Sequence, residues 1–166
     1  MSDSDSPNIP SAQVADVKSR APVGADDCGM VQAAKVLGDK WTLCILREAF
    51  YGVKRFDDML ADLELPKAAL SGRLATLVEE GLLEKSMYQE PGHRKRAAYV
   101  LTQKGRDAAP ILVALMNWGQ AHVLKAPGAT HLVTKSAGKP VKQAFVLEGQ
   151  ETVARDDLSL KVDLEG

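Results

Sequence analysis

The sequence predicts a mainly α (α+β) domain in which short helices lead into a β-hairpin and a long final helix follows. Three observations predict it. Apolar residues at helical spacing recur in four successive stretches between residues 29 and 78, each bounded by Gly, Asp or Pro. A turn sequence, Glu90-Pro91-Gly92-His93, then separates two short stretches suited to strands. Beyond Thr102, the apolar residues Ile111, Leu112, Leu115, Met116 and Trp118 spread over more than one face of a helix.

Taken in order, Met30, Val31, Ala34 and Leu37 mark a first short helix closed by Gly38. Asp39 is a good N-cap for a second, because a carboxylate can accept the otherwise unpaired N–H groups of a first turn. In that helix Trp41, Cys44, Ile45, Glu48 and Ala49 step around one face, and Phe50 and Tyr51 lead to Gly52. Phe56, Met59, Leu60 and Leu63 fall at i, i+3, i+4 and i+7 and give a third. Leu65-Pro66 interrupts the chain, since the residue before a proline is pushed out of the α region. A fourth helix follows, with Leu70, Leu74, Leu77 and Val78 in one narrow apolar stripe that must face a core. Gly81 supplies the left-handed residue that ends it.

The other side of the fourth helix is unusual. It carries Ala68, Ala69, Gly72, Ala75 and Thr76, with Lys67, Ser71 and Arg73 on its flanks. A merely solvated helix carries Glu and Lys there, whereas small residues let the backbone slide deep into a major groove. Gly72 costs roughly 1 kcal/mol of helix stability relative to Ala, which fits a need for closeness better than one for rigidity. The bland alternative is a helix packed on both sides.

Leu82, Leu83, Met87 and Tyr88 open the first arm of the hairpin, and residues 97–101 return to Thr102, an N-cap for a long helix over residues 103–124. Arg94, Lys95 and Arg96 follow the turn directly, and residues 91–106 hold five Lys or Arg and no acid. Alone, three consecutive basic residues describe a solvated loop. Beside a small-faced helix they can reach phosphates or the neighbouring minor groove. The order of elements reads as a helix-turn-helix with a wing, and the candidate DNA-contacting residues are Lys67, Ala68, Ala69, Ser71, Gly72, Arg73, Thr76, His93, Arg94, Lys95 and Arg96.

Charge by region agrees with that reading. The net charge of −1 conceals a middle segment, residues 28–125, with 14 basic and 11 acidic side chains. Residues 1–27, rich in Ser, Asp, Pro and Ala, are expected to be a disordered tail, and residues 126–166 a small β-rich extension. No run of 18 apolar residues and no charged-then-apolar leader is present, so a soluble cytoplasmic protein without a membrane partner is expected.

Residues 28–122 resemble the HxlR-type bacterial transcriptional regulators, a winged-helix family related to the MarR group. The resemblance rests on motifs in order: Leu37-Gly38-Asp39-Lys40-Trp41-Thr42, Ile45-Leu46-Arg47-Glu48, Gly52-Val53-Lys54-Arg55-Phe56, Leu70-Ser71-Gly72-Arg73-Leu74, Val78-Glu79-Glu80-Gly81-Leu82, Tyr88-Gln89-Glu90, Leu101-Thr102-Gln103-Lys104-Gly105-Arg106 and Trp118-Gly119. It implies a homodimer on a two-fold symmetric operator in duplex DNA, repressing or activating nearby genes. The many-sided apolar final helix points to a dimer independently, the alternative being a helix buried wholly in its own core. The resemblance also places Cys28 where some members carry a thiol sensor of oxidants or electrophiles. A helix N-terminus favours the thiolate while Asp26 and Asp27 oppose it, so sensing and burial both stay open for Cys28. Cys44, on an apolar face, reads as a small buried hydrophobe.

Two Cys and three His without paired spacing make no metal site, and no Gly-rich phosphate loop, nucleophile elbow or carboxylate pair supports an enzyme or a cofactor. In the extension, residues 131–134 and 141–147 suggest a hairpin around Ala137-Gly138-Lys139-Pro140, and residues 153–162 another strand. Extended members of the resembled family carry cysteines there that look like a small metal site; this chain has Ser136-Ala137-Gly138 and no cysteine beyond Cys44. The extension either packs on the dimer or helps line a pocket for a small-molecule signal. A reading from another class is a winged helix that binds protein, which calls for apolar or acidic residues at positions 68, 69, 72 and 76 and no basic wing.

Overall fold

The structure, a computed structural model, describes residues 23–89, 92, 95–125, 128, 130–134, 136–146, 149 and 152–153. The disordered tail expected over residues 1–27 lies mostly outside them, as do Glu90, Pro91, His93, Arg94 and most of the strand expected over residues 153–162.

Four helices come first: α1 (Gly29–Leu37), α2 (Lys40–Tyr51), α3 (Phe56–Leu63) and α4 (Lys67–Glu79). Helix α2 starts where its cap dictates, with extended backbone at Asp39 and its carboxylate accepting the Thr42 N–H at 2.9 Å. It stops at Gly52, whose φ of +87° ends the helix at no steric cost. Between α3 and α4 the chain turns in three residues. Glu64 takes a left-handed φ of 51°, Leu65 is buried, and Pro66 sets the extended entry to α4. At the far end of α4, the Leu82 N–H reaches back to the Leu77 carbonyl at 2.9 Å around Gly81, whose φ is +69°.

The core is built from one stripe of each of these elements. Ile45 and Leu46 of α2, Met59 and Leu63 of α3, and Leu70, Leu74 and Leu77 of α4 meet Leu65, Leu82 and Leu83. Each such side chain contributes about 1.5–3 kcal/mol when fully withdrawn from water. One carboxylate is drawn into this neighbourhood. Glu48 is buried, and Arg47 Nε donates to it at 2.9 Å; that bond holds the Arg47 guanidinium above its ordinary pKa.

Strands β1 (Leu83–Tyr88) and β2 (Arg96–Leu101) pair antiparallel from Leu83↔Leu101 to Tyr88↔Arg96. A third segment, absent from the sequence reading, adds to the sheet: Arg55 bridges Ala98, and the Tyr99 N–H donates to the Lys54 carbonyl at 2.8 Å. One bridge leaves no alternation in sequence from which to read a strand.

The long helix expected over residues 103–124 is instead two, α5 (Gln103–Arg106) and α6 (Ala109–His122). Pro110 explains the break, because in a continuous helix its ring would meet the Arg106 carbonyl and it has no N–H to offer. The Thr102 hydroxyl donates to the Gly81 carbonyl at 2.5 Å and accepts the Gly105 N–H at 3.1 Å, so it ties the end of α4 to the start of α5. Gly105 packs so closely that a Cβ there would stand 2.1 Å from the Leu82 carbonyl oxygen.

In the extension, Val133 bridges Pro140, and the Thr134 and Val141 N–H groups bond the Lys139 and Leu132 carbonyls at 2.8 and 2.9 Å. The arm expected to continue this hairpin over residues 141–147 turns elsewhere: strand β3 (Phe145–Val146) pairs with β4 (Thr152–Val153). Among the described residues, no helix is long and apolar enough to cross a membrane.

Candidate nucleic-acid interface

Helix α4 divides cleanly into two faces. Leu70 and Leu74 have no exposed surface and Leu77 has 1%, which fixes the helix against the core. Lys67, Ala68, Ala69, Ser71, Gly72, Ala75 and Thr76 are all exposed on the other side. A Cβ built on Gly72 would meet nothing within 4 Å. Packing within the chain therefore gives no reason for a glycine in mid-helix, and its destabilising effect is left to be explained by something that approaches from outside. Thr76 bonds its own helix, its hydroxyl donating to the Gly72 carbonyl at 3.2 Å.

Arg73 stands apart from this face. It is half-buried, and its Nη2 lies 3.0 Å from the Asp39 carboxylate at the cap of α2. The basic hairpin is split likewise. Lys95 is exposed, whereas Arg96 lies 3.4 Å from Asp57 of α3, with both groups largely solvated. Such an exposed pair contributes at most about 1 kcal/mol. His93 and Arg94 fall outside the described residues. The wing's first strand is braced from the added segment, where the Arg55 guanidinium sits 5.0 Å from the Tyr88 ring. Sequence reasoning passed over Arg55, because only the fold brings residue 55 beside residues 88 and 98.

Among the described residues, no group of three or more His, Cys, Asp or Glu is placed to hold a metal ion. Cys28 stands at the N-cap of α1, partly exposed, with Asp26 and Asp27 exposed beside it, and Cys44 is half-buried against the core.

With a buried leucine stripe, a three-residue turn and a braced hairpin in place, comparison with known proteins identifies the arrangement. The description "HxlR-like helix-turn-helix" matches residues 36–126. The chain belongs to this family. An uncharacterized HTH-type transcriptional regulator of Mycobacterium tuberculosis is 41% identical over 97 residues, which are 58% of this chain and 60% of the relative. The chain thus matches about 60% of the length of that curated relative. A second uncharacterized HTH-type transcriptional regulator, from Synechocystis, is 31% identical over 93 residues, 55% of this chain and 67% of its own. The crystal structure of PA1607, a candidate transcription factor, superposes with a TM-score of 0.70 at 31% identity and covers 82% of this chain and 95% of its own. A match of 82% exceeds residues 1–125, so the likeness reaches into the C-terminal extension of this HxlR-like protein. Membership places the chain among HxlR-like helix-turn-helix proteins, and the curated relatives that it matches are named as HTH-type transcriptional regulators.

Proposed function

We propose that this HxlR-like protein binds a two-fold symmetric operator as a homodimer and regulates transcription of neighbouring genes in response to a thiol-reactive or small-molecule signal. The observation that carries the reading is the exposed face of α4, small from Ala68 to Thr76 and with open space above Gly72. Such a face admits the backbone to the floor of a major groove, where Ser71 and Thr76 can meet base edges and Lys67 the phosphates. Lys95 and Arg96 flank the groove from the wing.

The second subunit docks through α6. None of its residues is buried, and Ile111, Leu115 and Trp118 are 43%, 47% and 61% exposed. Gly119 has nothing within 4 Å of a built Cβ, so α6 also carries a small position open to a partner helix. Two α6 helices related by a two-fold axis would set the α4 helices into successive major grooves, about one helical turn apart.

Two sites fit the signal. Cys28 is a reachable thiol at a helix N-terminus. A groove of about 700 Å³ between α6 and the extension, walled by Ile111, Trp118 and Phe145 with His122 and Gln143 at hand, suits a small apolar ligand.

The test is binding of the full-length protein to a duplex it selects from a randomised library, followed by fluorescence anisotropy at two salt concentrations, with and without a mild oxidant. Saturable selective binding supports the regulator. Reversal by oxidant that Cys28→Ser abolishes assigns the signal to the thiol, and indifference to oxidant assigns it to the groove. If no sequence is selected at either salt concentration, the operator reading falls and a protein-binding winged helix replaces it.

A further inference from the structure

We infer that Asp39 and Arg73 form a clamp that sets the angle of α4 on the domain, so that Arg73 serves recognition as a positioning residue and not as a contact to DNA. The inference rests on α4 being the helix that enters the groove. Three leucines, Leu70, Leu74 and Leu77, hold α4 to the core, but apolar contact is non-directional, and a single stripe tolerates a small roll about the helix axis. A roll that scarcely alters burial displaces Thr76 and Ser71 on the opposite face, where hydrogen bonds to base edges lose strength steeply with misalignment. Recognition therefore needs a directional restraint, and the described residues supply one.

The restraint is built from a single carboxylate. One oxygen of Asp39 accepts the Thr42 N–H at 2.9 Å, which orients the group as the cap of α2. The other stands 3.0 Å from Arg73 Nη2. Because α2 is anchored by fully buried Ile45 and Leu46, the carboxylate is a fixed point of the core and not a free surface charge. Arg73 follows Gly72 directly and precedes Thr76 by one turn, so a restraint on it acts on the residues proposed to meet DNA. The side chains are 42% and 32% exposed, too wet for the pair to matter greatly to folding. What it contributes is orientation.

The prediction has an unusual sign. Asp39→Asn removes a negative charge beside a DNA-binding face, which by bulk electrostatics should tighten binding to every duplex. The clamp predicts the reverse for the selected duplex. Asn caps a helix as well as Asp does, so the variant keeps α2 and loses only the charged pair. Anisotropy with the selected duplex and with a scrambled one of equal length, over a range of salt, decides between these. Asp39→Asn and Arg73→Gln should each lower affinity for the selected duplex about fivefold. Binding to the scrambled duplex should not weaken in Asp39→Asn, and the double variant should lose no more than either single one. The salt slope should stay at its wild-type value in both, because no phosphate contact is lost, while Lys67→Ala should lower it by about 0.9.

Selected-duplex binding by Asp39→Asn that is equal to or tighter than wild type would overturn the clamp. So would a slope lowered by about 0.9 in Arg73→Gln, which would make Arg73 a phosphate contact. Should Arg73→Gln fail to fold, the sign of the Asp39→Asn effect decides alone. Thr76→Trp checks the underlying reading separately: if it leaves selected-duplex affinity intact, α4 is not the reading helix, and the fault lies there and not in the clamp.

Discussion

Helices α4 and α6 are nearly the same length, 13 and 14 residues, and treat their surfaces in opposite ways. Helix α4 buries its three leucines within its own chain and, between the charged residues Lys67 and Glu79 at its ends, shows the outside mainly Ala, Gly, Ser and Thr. Helix α6 buries nothing completely and shows the outside Ile111, Leu115 and Trp118. Bulk on an exposed face asks to be covered by another apolar surface, while its absence lets a polar surface with deep grooves come close. The two helices thus leave uncovered the surfaces that the two proposed partners would need: a second copy of the chain at α6 and a duplex at α4.

The sharpest way to break this contrast is to cut the same amount of apolar surface from each helix. Leu74→Ala in α4 should cost about 2–5 kcal/mol of unfolding free energy, read from urea titration with two-state analysis. Leu115→Ala in α6, measured on dilute protein, should cost far less, and equal losses would mean that α6 is core after all. Trp118→Ala comes next. As an exposed aromatic at the centre of the proposed dimer contact, it should raise the dimer dissociation constant about 30-fold in sedimentation equilibrium. An unchanged constant would remove α6 from the interface.

Gly72→Ala then separates folding from recognition. With open space around the new methyl, the helix should gain about 0.5–1 kcal/mol in stability, while a Cβ at the groove floor should weaken selected-duplex binding about tenfold. If stability and affinity rise together, that face does not touch DNA. The smallest effect is expected from the wing. Lys95→Ala should lower the salt slope by about 0.9 and weaken all duplexes alike, whereas a loss confined to the selected duplex would make the wing a sequence reader.

How much of this was legible beforehand varies with the physics involved. Asp39, Gly52, Leu65-Pro66, Gly81 and Thr102 each bound an element by local chemistry, and the elements begin and end beside them. The leucine stripe of α4 was legible because burial of one helical face leaves a period in the chain. The break at Pro110 was also written in the sequence, but the apolar run beyond Thr102 masked it. Arg55 beside Tyr88, Gly105 against Leu82, and Arg96 against Asp57 left no such mark, since each joins residues remote in the chain.

Arg73 shows the boundary most clearly. Its place on the flank of α4 follows from helical spacing alone, and spacing alone makes it one more cation beside the surface proposed to face DNA. Only the tertiary structure brings the α2 cap within 3.0 Å and gives that cation a partner. Sequence by itself determined the helix-turn-helix, the two faces of α4 and the basic character of the hairpin, because capping, periodicity and charge are short-range properties of the chain. The bridge that Arg55 adds to the wing and the pairing of Asp39 with Arg73 were decided by the fold, because they depend on which distant segments the core draws together.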